Sequence, residues 1–169
     1  MDKSELLNTV TDRLSTLFSE GFVSSKNDSD MPTFIIKKEF LVEIITYLKN
    51  DKDLAFGYLT TMAGLHYPDN KGQEMGMMYQ LHSLTNNFRI RIKTFFSKGD
   101  VEVPSLTPIF DGANWMERQE YDFFGFKFKG HPNLKRILNM DDMDYHPMLK
   151  QYALEDGTRT DKNDDMFGR

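Results

Sequence analysis

The chain has 169 residues, 39% of them hydrophobic and 13% aromatic, with no cysteine and a formal net charge of −5. That length fits one domain plus an extension, and the acidic balance excludes a general nucleic-acid binder, which needs a basic face. Without cysteine there is neither a disulfide nor a thiolate to hold an iron–sulfur cluster or a structural zinc ion.

The opening MDKSELLNTVTDRL is amphipathic and lacks an apolar signal core. No run approaches the ~20 apolar residues that span a bilayer. A cytoplasmic protein is expected, with any membrane association made through a partner. Residues 4–20 place Leu6, Leu7, Val10, Leu14, Leu17 and Phe18 on one helical stripe, with Gly21 as the stop. A polar connector is expected over residues 24–30, then a short strand over 32–37 carrying Phe34, Ile35 and Ile36. A second helix over 38–49 turns Phe40, Leu41, Ile44, Ile45 and Leu48 inward.

Residues 58–67 contain a strand, and 68–73 form a turn of Pro, Asp, Asn, Lys and Gly. Residues 75–83 and 88–96 alternate as antiparallel strands around a turn at Thr85, Asn86 and Asn87. Phe88, Ile90, Ile92 and Thr94 share one face, and Arg89, Arg91 and Lys93 the other. Both strands are long, and exposed edges invite pairing with another chain. The stretch from Pro104 to Pro108 breaks the sheet, and a helix over 112–124 follows, capped by Asn114 and ended by Gly125. Beyond Leu138 periodicity is lost. The composition from Glu155 onward is polar and mostly acidic, which suits a segment that is disordered or wrapped on a partner. The fold class is therefore α+β: a two-layer domain over residues 1–138, with a mixed, largely antiparallel sheet packed against helices, and an extended tail over 139–169.

The most informative segment is NWMERQEYDFFGFKFKGHPNLKRIL, which sets Glu117, Arg118, Glu120 and Asp122 among aromatics. Charges in such surroundings must be partnered, because an unpaired buried charge is costly. Arg118 and Asp122 stand four residues apart, as do Glu117 and Tyr121, so each pair shares a helix face. An arginine among the carboxylates would hold their pKa values down, whereas a general acid needs a raised one. A structural ion-pair network is thus favoured over a catalytic pair. The four histidines show no helical metal-ligand spacing, although His66 and His82 fall on neighbouring strands. Lys127, Lys129, Lys135 and Arg136 make a local basic patch. The residues alone favour a binding or assembly protein. The competing enzyme reading is a stand-alone acid–base hydrolase built on Glu117, Asp122 and His131.

In this segment Glu117, Arg118, Asp122, Phe123, Phe124, His131, Lys135, Ile137 and Leu138 fall at the spacings of a known signature. It resembles that of the 30 kDa subunit family of respiratory complex I, the proton-translocating NADH:quinone oxidoreductase in which this component is designated C. Gln119 stands where that signature has a second glutamate. Upstream, Tyr79, Leu81, Ser83, residues 89–93, Pro104-Ser105 and Ala113-Asn114-Trp115 continue the likeness. Downstream the family often shows Pro, Asp-Trp and Pro-Leu-Arg-Lys-Asp, where this chain has Met140, Asp142-Met143 and Pro147-Met148-Leu149-Lys150-Gln151.

The resemblance implies a non-catalytic structural subunit of the peripheral arm of a translocase that moves electrons from NADH through FMN and iron–sulfur clusters to quinone. It implies no cofactor in this chain and a peripheral place on the cytoplasmic side of the cell membrane, held there by the complex. The implied partners are subunits D, B and I, chiefly the first of these, which carries the quinone site. The implied contact residues are Trp115, Glu117, Arg118, Tyr121, Asp122, Phe124, Gly125, His131, Pro132, Lys135 and Arg136. Related subunits serve membrane-bound hydrogenases and ferredoxin-linked oxidoreductases, which is the alternative host.

Overall fold

The computed structural model describes residues 2–28 and 31–152. Helix α1 (Lys3–Leu17) opens with a capping box, in which Asp2 accepts from the Glu5 N–H and Glu5 accepts from the Asp2 N–H. Its buried stripe is Leu6, Val10 and Leu14. The helix ends three residues before the expected limit. Phe18 is its C-cap, and a turn then leads to Gly21, where an added Cβ would collide with the Phe40 ring. Close approach to Phe40, rather than helix termination, is what requires glycine there.

Strand β1 (Phe22–Asn27) occupies the segment expected to be a polar connector. Its side chains are mostly exposed, so no apolar alternation marks it in the sequence. Backbone pairing with β2 (Pro32–Ile36) and the Thr11 hydroxyl donating to Ser25 Oγ at 2.9 Å hold it in place. A 3-10 turn (Lys38–Phe40) leads into α2 (Leu41–Asn50), which buries Leu41, Ile44, Ile45 and Leu48.

The main sheet then fills with β3 (Tyr58–His66), β4 (Met75–Ser83) and β5 (Phe88–Phe96), in the order β1-β2-β5-β4-β3. Only β2 and β5 run parallel; the other neighbours are antiparallel. Strands β4 and β5 lie inside the sheet, so the expectation that they present edges is corrected. The edges are β1 and β3. Met75, Met77, Tyr79 and Leu81 on β4, with Ile90, Ile92 and Phe96 on β5, form one buried core with the inward stripes of α1 and α2. The opposite faces of these strands are half-exposed, as suits a sheet covered on one side.

A second, two-stranded parallel sheet joins β6 (Glu102–Pro104) to β7 (Lys127–Lys129). Between them α3 (Ala113–Phe124) packs against the edge strand β3. Its N-cap is Gly112, without a side-chain cap, and Asn114 lies inside the first turn instead. Gly125 takes the left-handed C-cap at φ 81°, as expected. An added Cβ at Gly125 would also meet the His146 ring at 2.7 Å. Residues 139–152 lie back against the domain through hydrogen bonds from Met148 N–H to the Phe123 carbonyl and from Lys150 N–H to His66 Nδ1. The acidic stretch from Glu155, expected to wrap a partner or stay disordered, lies outside the described residues.

Docking of α3 requires a bare backbone on β3. A Cβ at Gly64 would stand 2.5 Å from a Phe124 ring carbon and 2.7 Å from a Phe126 ring carbon. Gly64→Ala is therefore expected to lower unfolding free energy by about 1–3 kcal/mol in urea titrations. Gly99→Ala, where the new Cβ meets only Ser97 Oγ at 3.8 Å, should change it by less than about 0.5 kcal/mol.

Candidate functional site

Helix α3 and the segment after it form a single hydrogen-bonded unit centred on Asp122. This side chain is buried at the end of the helix. Its Oδ2 accepts the backbone N–H groups of Ile137, Leu138 and Asn139 at 3.1, 2.9 and 3.0 Å. Its Oδ1 accepts from the Asn139 amide at 3.0 Å and from Arg136 at 2.6 Å. Burial pushes the Asp122 carboxyl up. The donors from Asn139, Leu138 and Ile137 outweigh burial and hold it well below the usual carboxylate range.

Arg136 spends its other donors on the same segment. It bonds the Asp122 carbonyl at 3.1 Å, the Met143 carbonyl at 2.7 Å and the Tyr145 carbonyl at 2.9 Å. His146 donates from Nδ1 to the Asp122 carbonyl at 2.9 Å, with its ring edge-on to Tyr121. Residues 136–146 have no regular secondary structure of their own. One carboxylate and one guanidinium collect five of their backbone groups.

Arg118 does not pair with Asp122, contrary to what their spacing suggests. It donates to the Lys135 and Arg136 carbonyls at 3.1 and 3.0 Å and lies 5.1 Å from the Trp115 ring centroid. The expected basic patch also divides. Arg136 turns inward to Asp122, while Lys127 and Lys129 stay exposed on β7. His131 accepts the Asn133 N–H on Nδ1 at 3.0 Å, which leaves Nε2 to donate to the Asn114 carbonyl at 3.0 Å. The Gly-His-Pro turn is thereby clipped to the first turn of α3. Pro132 and Lys135 are exposed.

The two glutamates face the other way, into the core, and neither has an arginine partner among the described residues. Glu117 is fully buried, accepting from Ser105 Oγ at 2.7 Å and from the Leu106 N–H at 2.6 Å. Burial pushes it up to about 7 against those two hydrogen bonds. Glu120 accepts the Gly64 N–H at 2.5 Å and, at 3.3 Å, the Gln119 amide. Burial raises it to about 7 as well. The Glu120 contact occupies an edge N–H of β3 that another strand would otherwise take. Nearby, the buried Tyr79 hydroxyl has no hydrogen-bond partner among the described residues. Burial and these two carboxyls push its pKa well above the ordinary value.

The expectation of depressed carboxylates throughout this helix therefore holds for Asp122 alone. Glu117, Asp122 and His131 sit in three separate settings, and the first two are sealed from solvent. His66 and His82 occupy opposite ends of the β3–β4 pair, opposite Met75 and Tyr58 respectively. No group of His, Asp and Glu among the described residues could hold a metal ion. Sequence spacing gave no role to Gly64, Asn139 and His146, and marked Ser105 only as part of the likeness; all four complete the network from distant or aperiodic positions.

Outward, the unit presents large apolar side chains. Trp115 is 62% exposed, Leu138 64%, Met140 69% and Met148 53%, with Tyr145 and Tyr152 beside them in the chain. Phe124 and Tyr121 are partly buried against the core. No helix among the described residues is long and apolar enough to cross a membrane.

Comparison with known proteins gives consistent results. Residues 34–158 match the family described as respiratory-chain NADH dehydrogenase, 30 Kd subunit. A Nocardioides protein, named as the C subunit of NADH-quinone oxidoreductase, is 40% identical over 122 residues, covering 72% of this chain and 49% of that protein. The protein of that name from Streptomyces coelicolor is 41% identical over the same shares of each chain. That from Mycobacteroides abscessus is 36% identical over 153 residues, 86% of this chain and 67% of its own. The chain spans about half the length of the first two relatives. Among solved structures, a trypsin-resistant fragment of Nqo5 superposes with a TM-score of 0.63 at 25% identity, over 74% of this chain and 99% of that one. A chain of an archaeal membrane-bound sulfane sulfur reductase shares the fold, with a TM-score of 0.73 at 18% identity, over 90% of this chain and 87% of that one.

The opposed carboxyl environments set a pH profile for stability. Glu117 and Glu120, raised from 4.5 to about 7, add stability that is complete below pH 4.5 and lost as pH rises through about 7. The loss amounts to roughly 3 kcal/mol each at most. Asp122, lowered from 3.8, adds stability that is present above that value and lost below it. Urea midpoints of the isolated chain should therefore peak near pH 4–5 and fall toward pH 7.5. The Glu117→Gln/Glu120→Gln double variant should flatten the neutral side of the curve. A wild-type midpoint that rises between pH 5 and 7.5 would contradict the assignment.

Proposed function

The chain belongs to the respiratory-chain NADH dehydrogenase 30 kDa subunit family, and from that premise we propose that it is a structural and assembly subunit of the peripheral arm of NADH:quinone oxidoreductase. In this reading it performs no chemistry of its own. FMN, the iron–sulfur clusters and the quinone site belong to partner subunits, and the arm lies on the cytoplasmic side of the membrane. Its partners are subunits D, B and I, with the quinone-site component D the chief one. In this reading residues 139–152, docked on the domain through Asn139, His146 and Lys150, carry part of the partner-facing surface.

The observation that carries this reading is the two-sided character of the Asp122 unit. Its inner side is saturated with hydrogen bonds and fixes an aperiodic segment. Its outer side exposes Trp115, Leu138, Met140 and Met148. Burying hydrogen-bond donors to hold apolar groups in water gains nothing for an isolated domain; covering those groups with another chain gains roughly 25 cal/mol per Å². Trp and Arg are the residue types that dominate interface energetics, and Arg118 beside Trp115 supplies such a pair.

Trp115→Ala tests this directly. The side chain is mostly exposed, so unfolding free energy of the isolated chain should shift by less than about 0.5 kcal/mol. The amount of assembled arm in native membranes should fall roughly tenfold or more. NADH:quinone turnover per assembled complex should stay within about twofold of wild type. Asp122→Ala should lower assembly too, by releasing residues 136–146. Normal assembly with collapsed turnover in either variant would transfer these residues to the chemistry.

A further inference from the structure

A cavity of about 220 Å³ lies where the C-terminal segment meets the ends of the main sheet, lined by His66, Pro68, Glu74, Lys98, Lys150 and Gln151. His66, the last residue of β3, is 7% exposed. Its Nδ1 accepts the Lys150 backbone N–H at 3.0 Å. The neutral ring therefore carries its proton on Nε2, and Nε2 has no hydrogen-bond partner among the described residues.

Two ammonium groups stand beside it. Lys98 donates from Nζ to the Gln151 side-chain oxygen at 3.1 Å, and the Lys150 ammonium lies 5.5 Å from the Tyr67 ring centroid. Neither has an ion-pair partner among the described residues. Among the described residues, Glu74 is the one carboxylate in the lining. Its two oxygens accept the Gly72 and Lys98 backbone N–H groups at 2.9 and 3.1 Å. Burial and then the two lysine charges lower the His66 pKa, so the ring is a neutral donor at neutral pH.

Three donor-bearing side chains thus line one cavity from three parts of the chain: the end of β3, the turn after β5 and the C-terminal segment. Two ammonium groups against one carboxylate leave the lining positive, and the Glu74 oxygens are already taken by the Gly72 and Lys98 N–H groups, so an added anion is favoured there. We propose that this cavity binds an oxyanion group, phosphate or carboxylate, which joins Lys150 of the C-terminal segment to His66 of β3 and Lys98 of the turn after β5. The volume suits such a group with its water and is too small for a nucleotide. A free phosphate and an acidic side chain of another chain offer the same chemistry.

The test is an NMR titration of the His66 ring in the full chain with inorganic phosphate, and separately with acetate, against chloride at matched ionic strength. Saturable shifts of the His66 signals are expected, with its pKa rising by about one pH unit as the anion offsets the lysine charges. Lys98→Gln and Lys150→Gln should each weaken the response roughly fivefold or more, and Glu74→Gln should strengthen it. All three changes are at exposed or half-exposed positions, and an otherwise unchanged amide spectrum verifies the fold. A response to phosphate alone identifies a phosphate ligand; an equal response to acetate identifies a carboxylate. A His66 titration unmoved by either anion, or moved as strongly in the two lysine variants as in the wild type, overturns the proposal.

Discussion

A buried carboxylate with every lone pair in use is the constraint on which this part of the structure rests. Asp122 accepts five hydrogen bonds from residues 136–139. Residues 136–146 form no helix or strand, so their polar groups need partners from elsewhere, because unpaired buried groups are costly. One carboxylate supplies the acceptors and one guanidinium, that of Arg136, supplies the matching donors to carbonyls. The result is a fixed surface made from an aperiodic segment. Breaking such a pair leaves an uncompensated charge in the interior, which costs far more than an exposed pair does.

Helix α3 is the element that makes this possible, since it faces three ways at once. Its first turn takes the His131 clip through the Asn114 carbonyl. Its middle sends Glu117 to the Ser105–Leu106 backbone and Glu120 to the edge of β3. Its last turn carries Asp122 and ends at a left-handed glycine against which His146 packs. The two glutamates make poor stabilisers at neutral pH, because burial disfavours their charged form more than their few hydrogen bonds favour it. Their use is geometric. They fix the height and rotation of the helix against the sheet, and so set which residues of the following segment face outward. The proposed role in assembly fits an element that trades stability for the placement of a surface.

Most of the scaffold is legible in the sequence. Period-two alternation with β-branched and aromatic residues locates β4 and β5 to the residue, helical stripes locate α1 and α2 within a few residues, and the stop at Gly125 locates the end of α3. Local pattern suffices where one face of an element is buried, since burial imposes the period. It fails at β1, whose exposed Val23, Ser24 and Lys26 obey no period because backbone pairing with β2 and a hydroxyl contact from α1, rather than a buried face, hold the strand. The signature spacing from Glu117 to Leu138 also discloses the family. What spacing could not decide was partnership. Arg118 and Asp122 are four residues apart on one helix, yet the arginine that reaches the carboxylate is Arg136, fourteen residues on. Only the folded path of the chain puts Arg136, Asn139 and His146 around Asp122, Gly64 under Glu120, and Lys150 beside His66. Hydrogen bonds and ion pairs act over a few ångströms, and distance along the chain does not fix distance in space once turns intervene.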